Sequence, residues 1–276
     1  ELSAARLGFN DIAVIGLTAQ GAARLDKAAW VIPVSARARR IAGLNAAAGG
    51  LLNNVRLDGD LAYANARLMS DNMKLRSDRI DATAVILADL NTGLYTGALN
   101  GRVNGYRVES VGIFNVATDI DLETTGNGGF RLAGQIRARS SQILNDGLRE
   151  FLGGNSLINA DVSYGSDGIG RITRLTVAAP SFRLSQGSGS YSADGQIRFN
   201  ARGSSNQYGP LTVDATGTVT RPVATIRAAR PGLGVGMSNV IATIRGDGNS
   251  YAVTGQGDTD YGAFNADVNV FTSRGP

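Results

Sequence analysis

Three carboxylates at alternate positions, Asp119, Asp121 and Glu123, form the densest grouping of chemistry-bearing side chains in this sequence. Along an extended segment they fall on one side, where one carboxyl could act as an acid and another as a base, as in glycoside hydrolysis. Val116, Thr118, Ile120 and Leu122 alternate with them, so the triplet reads as the wet face of a strand. The run Gly232-Leu233-Gly234-Val235-Gly236 has the glycines of a phosphate-cradling loop, but no helical pattern follows it and no acidic residue stands where a ribose would need one. Asp258 and Asp260, in GQGDTDYG, lack the further carboxylates of a usual calcium loop and read as a hairpin turn. No His and no Cys occur among the 276 residues, which removes Ser-His and Cys-His nucleophiles and the usual zinc and copper ligands. No catalytic residue, metal site or cofactor is predicted, and the chain is read as a non-enzyme.

The elements around these residues are strands. Phe130, Leu132, Ile136 and Ala138 alternate with Arg131, Gln135, Arg137 and Arg139. The same period of two runs through Ile158-Ala160-Val162-Tyr164, Ile197-Phe199-Ala201 and Leu211-Val213-Ala215. Turn signals separate the runs: Asn91-Thr92-Gly93, Ser166-Asp167-Gly168, Ala193-Asp194-Gly195 and Gly246-Asp247-Gly248-Asn249. Their spacing suits an up-and-down meander of long strands.

Two stretches break the alternation. Ile41, Leu44, Ala48 and Leu51 in ARRIAGLNAAAGGLL, and Leu144, Leu148, Phe151 and Leu152 in SSQILNDGLREFLGG, sit at helical spacing. They predict short amphipathic helices near 38–52 and 141–152, the second capped by Ser140 or Ser141 and by Gly153. Each has a narrow apolar stripe suited to the edge or mouth of a sheet. Matching Ala-Arg-Ala-Arg and Gly-Gly flanks about 100 residues apart suggest repeat units 1–53, 54–154 and 155–276 within one continuous elongated structure.

The net charge is +4, from 27 Lys+Arg against 23 Asp+Glu. Apart from Arg37, Arg39 and Arg40 the arginines are scattered singly, which argues for a solvated sheet face and against a nucleic-acid partner. No apolar run reaches the ~20 residues of a membrane-spanning helix. The absence of Cys suits an exported, periplasmic protein. With 1 Trp, 8 Tyr and 8 Phe, the inner face is rich in small residues and leaves space that a densely packed core would fill.

The second half carries a resemblance. RLSQGSGSYSADGQIRFNARGSS, and then the segment from Tyr208-Gly209-Pro210-Leu211 through Arg221-Pro222 and Pro231-Gly232-Leu233-Gly234 to Asp260-Tyr261-Gly262-Ala263-Phe264, resembles the TamB-like proteins, the translocation and assembly module family of Gram-negative bacteria. IPVSARARRIAGLN and LMSDNMKLRSDRIDATAVILADLNTGLYTGALNG in the first half look like the middle region of the same family, which is related to AsmA-like and bridge-like lipid-transfer proteins. The resemblance covers most of the chain but rests on degenerate patterns. It implies a fragment of a periplasmic protein anchored in the inner membrane by an N-terminal helix absent from this sequence and meeting an outer-membrane barrel partner. The implied fold is an elongated, curled all-β antiparallel meander, β-taco-like, with an open apolar groove. The implied function is carriage of phospholipid between the two membranes, or assistance to outer-membrane protein assembly, without catalysis.

Periodicity, not a motif, supplies the groove. Ala84, Ile86, Leu90, Leu132, Ile136, Ile158, Val162, Ile197, Phe199, Leu211 and Val213 are predicted to face one apolar trough that takes phospholipid acyl chains, with their polar neighbours in water. Roughly 20 strands at about 4.8 Å would extend on the order of 95 Å, which favours a rod over a compact domain. The competing reading is a structural or adhesive extracellular β-protein with a packed interior. An outer-membrane barrel would need more aromatic residues at its girdles.

Overall fold

A computed structural model describes residues 2–9, 12–42, 52–109, 111–125, 129–218, 220–231, 234–248 and 250–271. These are nearly all β. The chain divides into two compact units, Glu1–Leu144 and Asn145–Pro276.

The first unit is an antiparallel meander of β1 (Leu2–Phe9), β2 (Ile12–Gln20), β3 (Arg24–Asp26), β4 (Ala29–Ala42), β5 (Asn53–Ala64), β6 (Arg67–Arg76), β7 (Ile80–Asp89), β8 (Leu94–Val108), β9 (Gly112–Thr124) and β10 (Phe130–Ile143). Each strand pairs with the next, except that β2 and β3 both pair with β4, at opposite ends of it. Between them, a side chain at Gly21 would run into the Pro33 carbonyl oxygen at 2.4 Å, so only glycine lets the chain pass β4 so closely.

The second unit repeats the design with β11 (Leu157–Gly165), β12 (Ile169–Ala178), β13 (Phe182–Ser192), β14 (Gln196–Ser205), β15 (Gly209–Thr218), β16 (Pro222–Ala228), β17 (Ser238–Gly246), β18 (Ser250–Thr259) and β19 (Gly262–Phe271). One helix, α1 (Asp146–Leu152), precedes them. The predicted turns at 91–93, 166–168 and 193–195 fall between strands as expected; of that at 246–249, Gly246 ends β17 and 249 lies outside the described residues. At 194–195, for instance, Asp194 accepts from the Gln196 amide and Gly195 takes a φ of 81°.

Two helix expectations are corrected. Residues 38–42 continue β4, because Ala36 and Ala38 keep alternating with Arg37 and Arg39 and pair with Leu57 and Val55 of β5. The rest of the predicted first helix, 43–51, lies outside the described residues. The second helix is shorter than its prediction: 141–143 belong to β10, and the N-cap is Asn145, whose Oδ1 accepts from the Leu148 amide at 2.8 Å, instead of Ser140 or Ser141. Gly153 is the C-cap, in the left-handed conformation at φ 72°.

Among the described residues, neither unit has a sealed core of bulky side chains. Among the described residues of the second unit, the buried apolar side chains include Leu152, Ala201 and Ala228. In the first they include Ala13, Ala38, Val55, Met73, Ala82, Phe114 and Ile143. What holds each meander is the backbone ladder together with half-buried rows of apolar side chains on one face.

Candidate functional site

Cross-strand register turns local alternation into rows that cross the sheet. In the second unit, Val162 of β11 stands opposite Ile172, which stands opposite Gly189 of β13 and then Phe199 of β14. The row continues through Ala215, Ala224, Ile244 and Val253 to Val268 of β19. Nine strands thus contribute no polar side chain to it. A parallel row holds Ile158, Val177, Leu184, Gly203, Leu211 and Ala228. On the opposite face Arg171, Ser190, Arg198 and Thr216 are opposed in turn, as are Ser188, Asn200, Asp214 and Thr225.

The apolar rows alternate large with small. A side chain at Gly187 would meet Leu175 and Leu184, one at Gly189 would meet Phe199, and one at Gly257 would meet Phe264. Bulky side chains therefore lie down over glycines of the next strand, which keeps the face low and leaves most of its residues half-buried.

At one end of this face the site deepens. Phe151 of α1 lies over Phe182 of β13, ring centroids 4.8 Å apart, and stacks on Tyr208 at 6.0 Å. The Ser181 amide donates to the Leu152 carbonyl, and a side chain at Gly153 would collide with Ser181, so the helix end is fixed against the start of β13. Leu152 is only 6% exposed. Together these elements enclose a cavity of about 480 Å³, walled by Phe151, Phe182, Leu211, Val213, Ile226 and Met237 among others. That size lies within the ~300–1,000 Å³ of small-molecule sites, and apolar lining is their usual character. The helix thus covers an apolar end of the sheet face.

Six of the predicted groove residues, Ile158, Val162, Ile197, Phe199, Leu211 and Val213, share this face, and Leu211 and Val213 line the cavity. Four others share the apolar face of the first unit. There Ile136 is opposite Thr118, and the row returns through Gly101, Ala82, Leu75 and Leu57 to Ala36. Leu132, Ala84 and Ile86 occupy neighbouring rows, Ile86 at 38% exposure. Leu90 is not on a strand: it sits in the β7–β8 turn, 58% exposed, with its amide donating to the Ala66 carbonyl. The period of two carried it one step past the end of β7. Periodicity alone did not single out Phe182, Tyr208, Ile226 or Met237, which gather from four separate segments at the cavity.

The carboxylates do not assemble a reacting centre. Asp119, Asp121 and Glu123 are exposed, opposite Gln135, Ala133 and Arg131. Asp258 accepts from Asn239 at 3.0 Å, and Asp260 lies in the β18–β19 turn. No metal-ligating cluster occurs among the described residues. The resolved acidities all belong to hairpin tips. The Thr92 amide above all lowers the Asp89 carboxyl, the Arg171 guanidinium lowers Asp167, and the Ser192 hydroxyl lowers Asp194. Of the glycine-rich run, 232–233 lie outside the described residues, and Gly234–Gly236 form a turn. No helix among the described residues is long and apolar enough to cross a membrane. No family model, curated protein or solved structure matches the chain.

Proposed function

We propose that this chain holds phospholipid acyl chains against its apolar sheet faces and does no chemistry on them. The observation that carries the reading is the row from Val162 to Val268, nine strands without a polar side chain, most of its residues half-buried and Ile172 and Val268 exposed at 39% and 51%, where a core would seal them. Such a face is stable in water only at a cost, and each methylene laid on it gains about 0.8 kcal/mol. An acyl chain asks for nothing more than a long apolar surface. The cavity beside α1 gives a chain end an enclosed place to rest.

On this reading the chain is part of a TamB-like protein, anchored in the inner membrane and meeting a barrel in the outer one. It carries phospholipid across the periplasm along an open groove or supports outer-membrane protein assembly. Thr118 and Ser70, whose hydroxyls are buried without a partner on the apolar side of the first unit, suit a face that is not dry throughout.

A photo-crosslinking amino acid at Phe199 in the chain, expressed in a Gram-negative host, should capture phospholipid that mass spectrometry identifies. The same group at Arg198, one residue away on the wet face, should not. Equal capture at both positions, or a lipid-free protein with no capture at either, refutes the reading and favours a structural protein.

A further inference from the structure

Across the first unit, the face opposite the apolar one carries a band of charge that the order of residues conceals. Arg37, Arg56 and Arg76 stand directly opposite one another in β4, β5 and β6. The same transverse row goes on through Asp81, Arg102 and Ala117 to Arg137 of β10. At about 4.8 Å per strand it is ~29 Å long. All five arginines are exposed.

Like charges directly opposed on antiparallel strands destabilise the sheet, and little inside the molecule offsets them. Arg56 approaches Asp58, and Arg76 approaches Asp81, only to 3.8 Å, as exposed pairs, and such pairs contribute little. Arg37 and Arg102 make no ion pair among the described residues. Nothing about burial forces this arrangement, since the same face holds carboxylates that a different register would have set opposite arginines.

The surroundings restrict what could neutralise the band. Asp58 and Asp119 lie in the next row of the same face, with Lys74 the one cation among that row's residues, and Asp121 lies in the row after, so a broad anionic surface such as a membrane would meet repulsion beside the attraction. Single-stranded nucleic acid wants aromatic platforms, whereas Trp30, Tyr63, Tyr95 and Phe130 share the opposite, apolar face. The ligand is therefore narrow, linear and anionic. An extended peptide repeats same-side groups only every ~6.7 Å. An α-helix repeats them about every 5.4 Å turn, and roughly 20 helical residues match the length of the row. We infer that the band is a docking site for a helix of a partner protein that lies across the strands with a stripe of Glu or Asp facing the arginines, an interaction separate from any lipid on the other face.

The test is fluorescence anisotropy of the 276-residue chain with a labelled 20-residue Ala-rich helical peptide bearing one stripe of Glu. Saturable, salt-weakened binding is expected. R37Q/R56Q/R76Q should weaken it about tenfold or more, and R102Q/R137Q, which relies on other strands should the triple variant fail to fold, should weaken it severalfold. R183Q/R198Q/R245Q removes equal charge from the second unit and should change it less than about twofold. The inference is overturned by equal loss in that control, by equal binding of an isomeric peptide with Glu spread around the helix, or by tighter binding of a 20-nucleotide single strand or of phosphatidylglycerol vesicles.

Discussion

Replacing Phe199 with Arg separates an open apolar face from a packed interior. The Phe199 ring is half-buried, resting over Gly189 of β13 and beside Ala215 of β15. Burying a whole Phe side chain stabilises by about 1.5–3 kcal/mol, so a half-buried one gives up roughly 1 to 1.5. An Arg stem recovers part of that by lying on the same neighbours with its guanidinium in water. The expected loss is about 1 kcal/mol. In a sealed core, truncating Phe to Ala alone costs about 3–5 kcal/mol, and an unpaired buried charge adds several more. Ala201 provides the contrast. It is 6% exposed and forms part of the cavity wall, so A201R must push a guanidinium into apolar surroundings and should cost more than F199R although a smaller side chain is lost. Urea unfolding followed by circular dichroism at constant m-value measures both. A loss above about 4 kcal/mol for F199R, or equal losses for the two variants, would refute the open face.

Leu152→Ala should release α1 locally, because a seven-residue helix cannot stand without its packing. Amide exchange at Leu148, Arg149 and Gly153 should accelerate while β14–β16 stay protected, and uniform acceleration throughout the second unit would count against a separately held helix. Gly189→Ala should destabilise by about 1–3 kcal/mol, since the new carbon would lie 2.7 Å from the Arg198 carbonyl oxygen and 3.0 Å from the Phe199 ring; an unchanged urea midpoint would mean that the strands have room the geometry denies. The hairpin-tip carboxylates of Asp89, Asp167 and Asp194 sit below the usual carboxylate value. Their contribution is therefore fully present above about pH 3.9 and is lost as pH falls through their lower folded values. The amide shifts of Thr92, Ile169 and Gln196 should titrate with midpoints below that value, and a midpoint above it would reject the hydrogen bonds proposed as the cause.

The strands and their faces were legible because each one alternates on its own. Leu132-Gly134-Ile136-Ala138 against Arg131-Gln135-Arg137-Arg139 declares which side is wet without reference to any neighbour. Turns were legible for the same local reason: Asp-Gly and Thr-Gly supply the side-chain acceptor and the positive φ where the chain reverses. The helix over 38–42 failed because Ile41 and Leu44 fit a period of 3.6 as well as the strand period of Ala36 and Ala38, and pairing with β5 decided between them. Leu90 failed because a period says nothing of where a strand stops. Of the cavity wall, only Leu211 and Val213 were among the predicted groove residues, and the enclosure itself was not legible. Phe151, Phe182, Tyr208 and Met237 meet only after β13 to β17 are set in register, and no spacing in the sequence encodes a meeting of four segments.

The two faces of the first unit inform differently for the same reason. On the apolar side any register that keeps the faces yields mostly apolar rows, because the strands supply apolar residues at nearly every second position, Thr118 and Ser70 being exceptions, so the row from Ala36 to Ile136 follows from alternation. On the wet side water satisfies each charge wherever it lies, and burial imposes no transverse order. Selection for the fold alone would leave arginines mixed with acids and Thr, as they are around Arg198 in the second unit, between Ser190 and Thr216. Arg37, Arg56 and Arg76 in consecutive strands, opposed without a carboxylate between them, run against what the sheet would prefer. The helix inferred to dock there would offset that cost, and this is why the wet face, which looked blandest in the sequence, carries the more specific expectation about a partner.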